Sequence, residues 1–257
     1  MVKIDEKNKE AKIIKKYVEL KGKNILEIGC GTGRLTFGLV EKAKKVIAVD
    51  PIENNIIKAK EKLTKELKDK VVFQVGYGEN LEFKDNFFDT VFLGMTLHEI
   101  PVDKQKDTLR EIKRVLKKGG QLFVIEPLPY GEVQSLYSIF LLKLFNDNHS
   151  KRIEHAKKVL EEFIENNLFK LELAKEFKLK WFFNDIDDLC NFFLSEHKIS
   201  VSNKMYSEDR KSNKIGNMKD ELIDKIKNNL KKKLNDKPLI VYDELIFFSL
   251  RNIKIKR

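Results

Sequence analysis

The segment Leu26-Glu27-Ile28-Gly29-Cys30-Gly31-Thr32-Gly33 constrains this chain more than any other. Residues 24–28 read as a short buried strand and 35–42 as a helix, so the glycines fall in the turn between them. Three glycines at alternate positions let the backbone turn tightly and let a ligand approach without a Cβ in the way. The N–H groups of the following helix then point at that ligand. A dinucleotide fingerprint has the spacing Gly-x-Gly-x-x-Gly, whereas here it is Gly-x-Gly-x-Gly, and the Gly-Lys-Ser/Thr of a phosphate loop is absent. Seventeen residues beyond Gly33, Asp50 ends a second strand-like run, where a carboxylate accepts both hydroxyls of a ribose.

The rhythm continues. Strand-like segments at 45–49, 71–75, 90–93 and 121–125 alternate with helix-like ones at 54–67 and 102–116, the latter with Leu109, Ile112 and Leu116 on one face and Gly119-Gly120 as its stop. This order implies βαβ units and a parallel sheet covered on both faces. After Pro127 and Pro129 the pattern changes. Residues 132–145 and 153–166 read as helices, and 171–181 alternates as a half-buried strand, with Leu171, Leu173, Phe177, Leu179 and Trp181 on one face. A short helix is expected over 185–196, a polar loop over 198–217 and a Lys-rich helix over 218–234. Residues 242–250, apolar on both faces from Leu245 onward, suit a strand inside a sheet.

Composition narrows the function. The net charge is +11, from 51 basic and 40 acidic side chains, which invites a nucleic-acid partner. Only 7 of the 51 are Arg, whose planar fork reads phosphate and base edges, and the excess is shared by both halves of the chain. A solvated Lys surface is therefore favoured, and no stable nucleic-acid binding is expected. Two cysteines, Cys30 and Cys190, make neither a disulfide framework nor a zinc pair. The charged N-terminus lacks a signal-peptide apolar region, and the apolar stretch 133–145 is shorter than the ~20 residues a membrane span needs, so a cytoplasmic protein without a transmembrane segment is expected. Asp147, His149, Glu154 and His155 look superficially like metal ligands, but their spacing favours a solvated helix start, and no metal is assigned.

Five motifs in order, L-E-I-G-C-G-T-G at 26–33, A-V-D at 48–50, G-E-N-L-E-F-K-D-N-F-F-D at 78–89, L-H-E-I at 97–100 and R-V-L-K-K-G-G-Q-L-F-V-I-E-P at 114–127, carry a resemblance. The chain resembles the class I S-adenosylmethionine-dependent methyltransferases, particularly the small-molecule branch that includes ubiquinone/menaquinone C-methyltransferases. The resemblance implies an α/β, Rossmann-like, doubly wound seven-stranded sheet, mostly parallel, with the last strand antiparallel and inserted between the fifth and sixth. It implies one domain over 1–257, with a cofactor-binding core at 20–127, lid or substrate-side helices at 128–168 and a helical insertion at 185–238 that makes a C-terminal elaboration. By position, Glu27 would lie near the methionine amino group of S-adenosyl-L-methionine, Gly29, Gly31 and Gly33 would wall the cofactor, Asp50 would hold the ribose and Ile52 would pack on the adenine. The family's usual Gly-Asp-Ala is here Gly76-Tyr77-Gly78, so Tyr77 stacks or hydrogen-bonds in place of the carboxylate and Gly78 offers its N–H. Met95 follows the fourth of the main strands, at the ligand-binding edge.

Methyl transfer from a sulfonium is an in-line displacement, so alignment and exclusion of water matter most. His98 is the candidate base, against the blander role of a polar pocket residue. Glu126, Tyr130 and Tyr137 are candidates for the substrate side, and the acceptor is expected to be a small molecule of aromatic or lipid-like character. Two other readings stay open. An RNA or other nucleic-acid methyltransferase is motivated by the charge, although Leu93-Gly94-Met95-Thr96 stands where an Asn/Asp-Pro-Pro-aromatic motif would be. A non-catalytic cofactor-binding regulatory protein is motivated by Tyr77.

Overall fold

A computed structural model describes residues 3–4, 9–145, 148–201, 223–233 and 236–253. In chain order its main elements are β1 (Lys3–Ile4), α1 (Lys9–Tyr17), β2 (Asn24–Ile28), α2 (Arg34–Leu39), β3 (Lys45–Asp50), α3 (Glu53–Glu61), β4 (Val71–Val75), β5 (Phe88–Gly94) and α4 (Val102–Val115). There follow β6 (Leu116–Pro127), α5 (Glu132–Phe145), α6 (His149–Glu165), β7 (Phe169–Phe183), α7 (Ile186–Val201) and β8 (Leu239–Asn252). They fall into two compact units.

The larger unit comprises Asn8–Leu128, Arg152–Phe177 and Leu245–Arg257. Its strands run in the order β4-β3-β2-β5-β6-β8-β7. The pairs β4/β3, β3/β2, β2/β5 and β5/β6 are parallel, and β8 lies antiparallel to β6, with Leu122 opposite Leu250 and Val124 opposite Phe248. The expected seven strands and the inserted last strand are therefore found. The chain winds outward from β2 to β4 and then returns to place β5 on the other side of β2. This reversal opens a crevice at the carboxyl ends of β2 and β5, where doubly wound sheets take their ligands.

One sheet face packs Leu26, Ile28, Val91, Leu93, Leu122 and Val124 against Leu109, Ile112 and Val115 of α4 and Val159 and Phe163 of α6. The helical repeat of α4 puts its apolar residues on that side, and each fully buried side chain contributes about 1.5–3 kcal/mol. On the other face Phe92, Phe123 and Phe247 stack in series at 5.2 and 5.7 Å, with Tyr17 of α1 on Phe247 at 6.0 Å. Helix α4 ends at Val115, earlier than Gly119-Gly120 would stop it, because Leu116 already pairs with Phe88. The glycines lie inside β6, with Gly119 at φ +75°.

The smaller unit comprises Met1–Lys7, Pro129–Lys151 and Lys178–Glu244. β1, which no sequence period announces, pairs antiparallel with the end of β7 (Lys3 with Phe182, Ile4 with Trp181). An aromatic group fills this unit. Trp181 lies edge-on to Tyr137 at 6.4 Å and to Phe192 at 5.6 Å, while Tyr137 meets Phe193 at 4.9 Å.

Three expectations are corrected. His149 is buried and stacks on Tyr137 at 5.2 Å, so it is not a solvated helix start, since its ring finds an aromatic partner. Helix α7 continues to Val201, past the expected start of the polar loop at 198, and residues 202–217 lie outside the described residues. Leu171 is exposed, so the alternating burial expected from 171 is found only from Phe177 to Phe183, with Phe169 buried at the start of β7. Of the Lys-rich helix expected over 218–234, residues 223–229 are helical. Among the described residues no helix is long and apolar enough to cross a membrane.

Candidate active site

The glycine loop is held from both sides. The N–H groups of Gly29 and Cys30 both donate to the Val49 carbonyl, at 2.8 and 3.0 Å, tying the end of β2 to β3. Gly29, Gly31 and Gly33 all have positive φ (+73°, +53° and +86°), a region where a side chain is strained. Their surroundings differ. A Cβ on Gly29 would lie 2.3 Å from Thr96 Cγ2, whereas one on Gly31 would meet nothing within 4 Å. Gly29 thus permits close packing of two loops, and Gly31 borders open space.

Asp50 organises the same edge from β3. Its Oδ2 accepts the Gly31 N–H at 2.8 Å, and its Oδ1 accepts the Ile52 N–H at 3.0 Å and Asn55 Nδ2 at 3.1 Å. An ionised carboxylate has about four lone-pair sites, so these three bonds leave acceptor capacity. Beneath the loop, Glu27 is buried with its Oε2 accepting the Thr36 hydroxyl at 2.6 Å. Burial raises its pKa to about 8, offset only partly by Thr36 and Arg34 and reinforced by Glu10 and Asp50. Arg34 itself pairs with Glu10. Burial, with the Glu27 and Asp50 charges, pushes the Cys30 thiol up, so it is no nucleophile.

Ile52 and Tyr77 stand at the ends of β3 and β4 with 37% and 54% of their surface exposed, an uncovered apolar pair. Gly78 is needed for packing, because a Cβ there would lie 2.9 Å from Thr108 of α4. A cavity of about 160 Å³ beside Tyr77 is lined by Val49, Gln74, Gly76, Asn80, Leu81 and Phe83 among others, and does not include Asp50. Arg114 fixes its far wall by donating to the carbonyls of Leu81 and Phe83, both at 2.7 Å, while Glu111 accepts the Leu81 N–H. The motifs at 78–89 and 114–127 are thereby one structural device.

Across the crevice, residues 94–99 leave β5. Met95 has φ +56° and donates its N–H to Ile125, and the Thr96 hydroxyl bonds Gly94 O at 2.9 Å. Glu126, at the end of β6, turns towards this loop. Its Oε1 accepts the N–H groups of Thr96 and Leu97 at 3.1 and 2.8 Å, and its Oε2 accepts His98 N–H at 3.3 Å and meets His98 Nδ1 at 2.5 Å. The other ring nitrogen of His98 lies 3.1 Å from Glu99 Oε1. Burial alone would lower the His98 pKa, but Glu126 and Glu99 outweigh it and raise the value to about 10. With a carboxylate at each nitrogen, the ring holds two protons.

The larger unit therefore brings together Glu27, the three glycines, Asp50, Ile52, Tyr77, Gly78, Met95, His98 and Glu126 along the carboxyl ends of its strands. Tyr130 and Tyr137 belong to the smaller unit, where Tyr130 is exposed and Tyr137 sits in the aromatic group. Sequence reasoning overlooked Thr36, Asn55 and Thr96. Only Asn55 carried a signal, as an amide one helical turn beyond the strand-end carboxylate.

The family model described as a methyltransferase domain matches residues 26–124, from β2 into β6. A demethylmenaquinone methyltransferase of Lactococcus lactis is 40% identical over 119 residues, 45% of this chain and 46% of that protein, so the chain spans about half its length. A demethylmenaquinone methyltransferase of Staphylococcus aureus is 31% identical over 176 residues, 64% of this chain and 69% of that protein. A solved Bacillus halodurans structure assigned to the methyltransferases shares the fold, with a TM-score of 0.64 at 20% identity over 96% of this chain and 100% of that one. Because sequence identity extends over more than two thirds of the Staphylococcus protein and the family model covers the glycine-loop edge, this chain belongs to the class I S-adenosylmethionine-dependent methyltransferases.

Proposed function

We propose that the protein transfers the methyl group of S-adenosyl-L-methionine to a ring carbon of a small quinone-like acceptor. The observation that carries the cofactor half is the pairing of Asp50 with Gly31, a buried carboxylate holding a left-handed glycine that opens on free space. A side chain at Gly31 would fill that space, and Asp50 keeps acceptor sites for hydroxyls, so the residues fit the cofactor. The acceptor class rests on what the two bacterial relatives act on by name.

In this reading residues 20–127 are the cofactor-binding core. Glu27 faces the methionine ammonium, Gly29, Gly31 and Gly33 form the wall, and Asp50 accepts the ribose hydroxyls. Ile52 and Tyr77 cover the adenine faces and edges in place of the family's missing carboxylate, and Gly78 offers its N–H. Met95 borders the sulfur. Tyr130 and Tyr137 are assigned to the acceptor.

When bound, the cofactor supplies an electrophilic methyl group on a positively charged sulfur. The protein's part is alignment. Asp50 and Val49 hold the glycine loop in one geometry, and Glu126 holds residues 96–98 in another, so both walls of the crevice are set before any ligand arrives. His98 is kept as an imidazolium between two carboxylates, which suits a hydrogen-bond donor rather than a base.

Two measurements test this. Calorimetric titration should show binding of S-adenosylmethionine and of its demethylated product. Methyl-labelled cofactor should pass its label to a reduced naphthoquinone lacking a ring methyl, and label recovered only in water-soluble amines or RNA would sink the acceptor assignment.

A further inference from the structure

We propose that Lys62, at the C-cap of α3, is a positioning residue for the cofactor: it clips Thr32 and so fixes the shape of the glycine loop around Gly31. This rests on the reading of that loop as the cofactor cradle.

The loop is tied down residue by residue. Gly29 and Cys30 give their N–H groups to the Val49 carbonyl, Gly31 gives its own to Asp50 at 2.8 Å, and the Gly33 N–H turns back onto the Cys30 carbonyl at 2.9 Å. Thr32 is held from outside the loop. Lys62 Nζ donates to the Thr32 carbonyl at 3.1 Å and to its hydroxyl oxygen at 2.9 Å. An ammonium carries three donors and no acceptor, so one group can fix both the backbone and the side chain of that residue. The place matters because Thr32 stands between Gly31 at φ +53° and Gly33 at φ +86°. Glycines rotate more freely than any other residue, and a restraint on the residue between two of them sets the path of both.

Helix α3 therefore meets the loop from both of its ends. At its start, the Ile52 N–H and Asn55 Nδ2 bond Asp50 Oδ1, while the other Asp50 oxygen holds Gly31. At its end, Lys62 reaches Thr32. The open space beside Gly31 thus keeps its shape before a ligand enters, and binding costs less ordering of the loop. The Lys62 side chain is exposed, so its bonds add little to the stability of the fold. Their effect falls on the loop.

The test compares the full chain with Lys62→Met, which keeps the length of the side chain and removes its donors. Amide exchange of Gly31 and Gly33, followed by NMR, should quicken about three- to tenfold, while Leu26 and Val91 in the sheet keep wild-type rates and the urea midpoint holds. Calorimetric titration with S-adenosylhomocysteine should show affinity falling by a similar factor, about three- to tenfold, and Lys62→Arg should recover most of it. Thr32→Val, which keeps the carbonyl bond, should lose less, and should add little once Lys62 is already Met. Unchanged exchange at Gly31 and Gly33, wild-type affinity in Lys62→Met, additive losses in the double variant, or a urea midpoint that falls with the affinity would each overturn the clip. Failure of the wild-type protein to bind S-adenosylhomocysteine would instead count against the methyltransferase reading, and the exchange rates would still test the clip.

Discussion

Two buried carboxylates face the same crevice from different strands. Asp50, at the end of β3, holds the glycine loop through one N–H and spends its other oxygen on the start of α3. Glu126, at the end of β6, gathers three consecutive N–H groups and an imidazole from the loop after β5. The first keeps acceptor capacity and borders open space at Gly31. The second takes four bonds from the protein, two on each oxygen, against three for Asp50. Similar residues at similar places therefore serve different ends: one is available to a ligand, and the other shapes the wall the ligand meets.

The largest expected effect breaks the Glu126 side. Glu126→Ala leaves a buried imidazolium and three N–H groups without their acceptor and should lower stability by about 3–5 kcal/mol in urea unfolding, with Glu126→Gln losing clearly less. Next comes a contrast within the glycine loop. Gly29→Ala forces a Cβ to 2.3 Å from Thr96 in a left-handed conformation and should cost about 2–4 kcal/mol of stability. Gly31→Ala has only the conformational penalty, about 1–2 kcal/mol, yet should weaken cofactor binding more than its stability loss suggests. If calorimetry shows equal affinity in Gly31→Ala and wild type, the cradle lies elsewhere.

Asp50→Asn sharpens the comparison from the ligand side. The amide sets an N–H₂ against donors that need an acceptor, and S-adenosylmethionine affinity should fall roughly tenfold to a hundredfold, the worth of a hydrogen bond to a charged group. An affinity that stays at the wild-type value would remove Asp50 from the ribose.

The last comparison is a pH dependence at Glu27. Its folded pKa of about 8 lies above the ordinary carboxyl value of 4.5, so the folded state binds the extra proton between them. The contribution is fully present below about 4.5 and is lost as pH rises through about 8. Urea midpoints of the wild-type protein should therefore decline over that interval more steeply than those of Glu27→Gln, whose amide does not titrate. Parallel curves would show that the carboxyl ionises normally.

Much of the larger unit was legible. Alternating apolar runs and glycine punctuation located β2 to β6, and the two-faced apolar character of Leu245–Leu250, with the family resemblance, placed β8 inside the sheet. β1 was not, because two residues make no period, and their partners Trp181 and Phe182 lie far along the chain. The burial of His149 was hidden by its polarity, since the aromatic neighbour it stacks on, Tyr137, lies on a different helix. At the candidate site the glycines and Asp50 could be named because their spacing in sequence is their geometry. The roles of Glu126 and His98 could not, because Glu126 meets N–H groups 28 to 30 residues earlier in the chain.

The sequence by itself determined the strand order's raw material, the glycine turn and the carboxylate at the end of β3, because these depend on local propensity and short spacing. Tertiary structure alone decided which carboxylate keeps free acceptor sites, which glycine packs and which opens, and which form of His98 is present. Ionisation and hydrogen-bond satisfaction depend on burial and on partners that only folding brings within 3 Å, as Glu126 and the Leu97 N–H are at 2.8 Å.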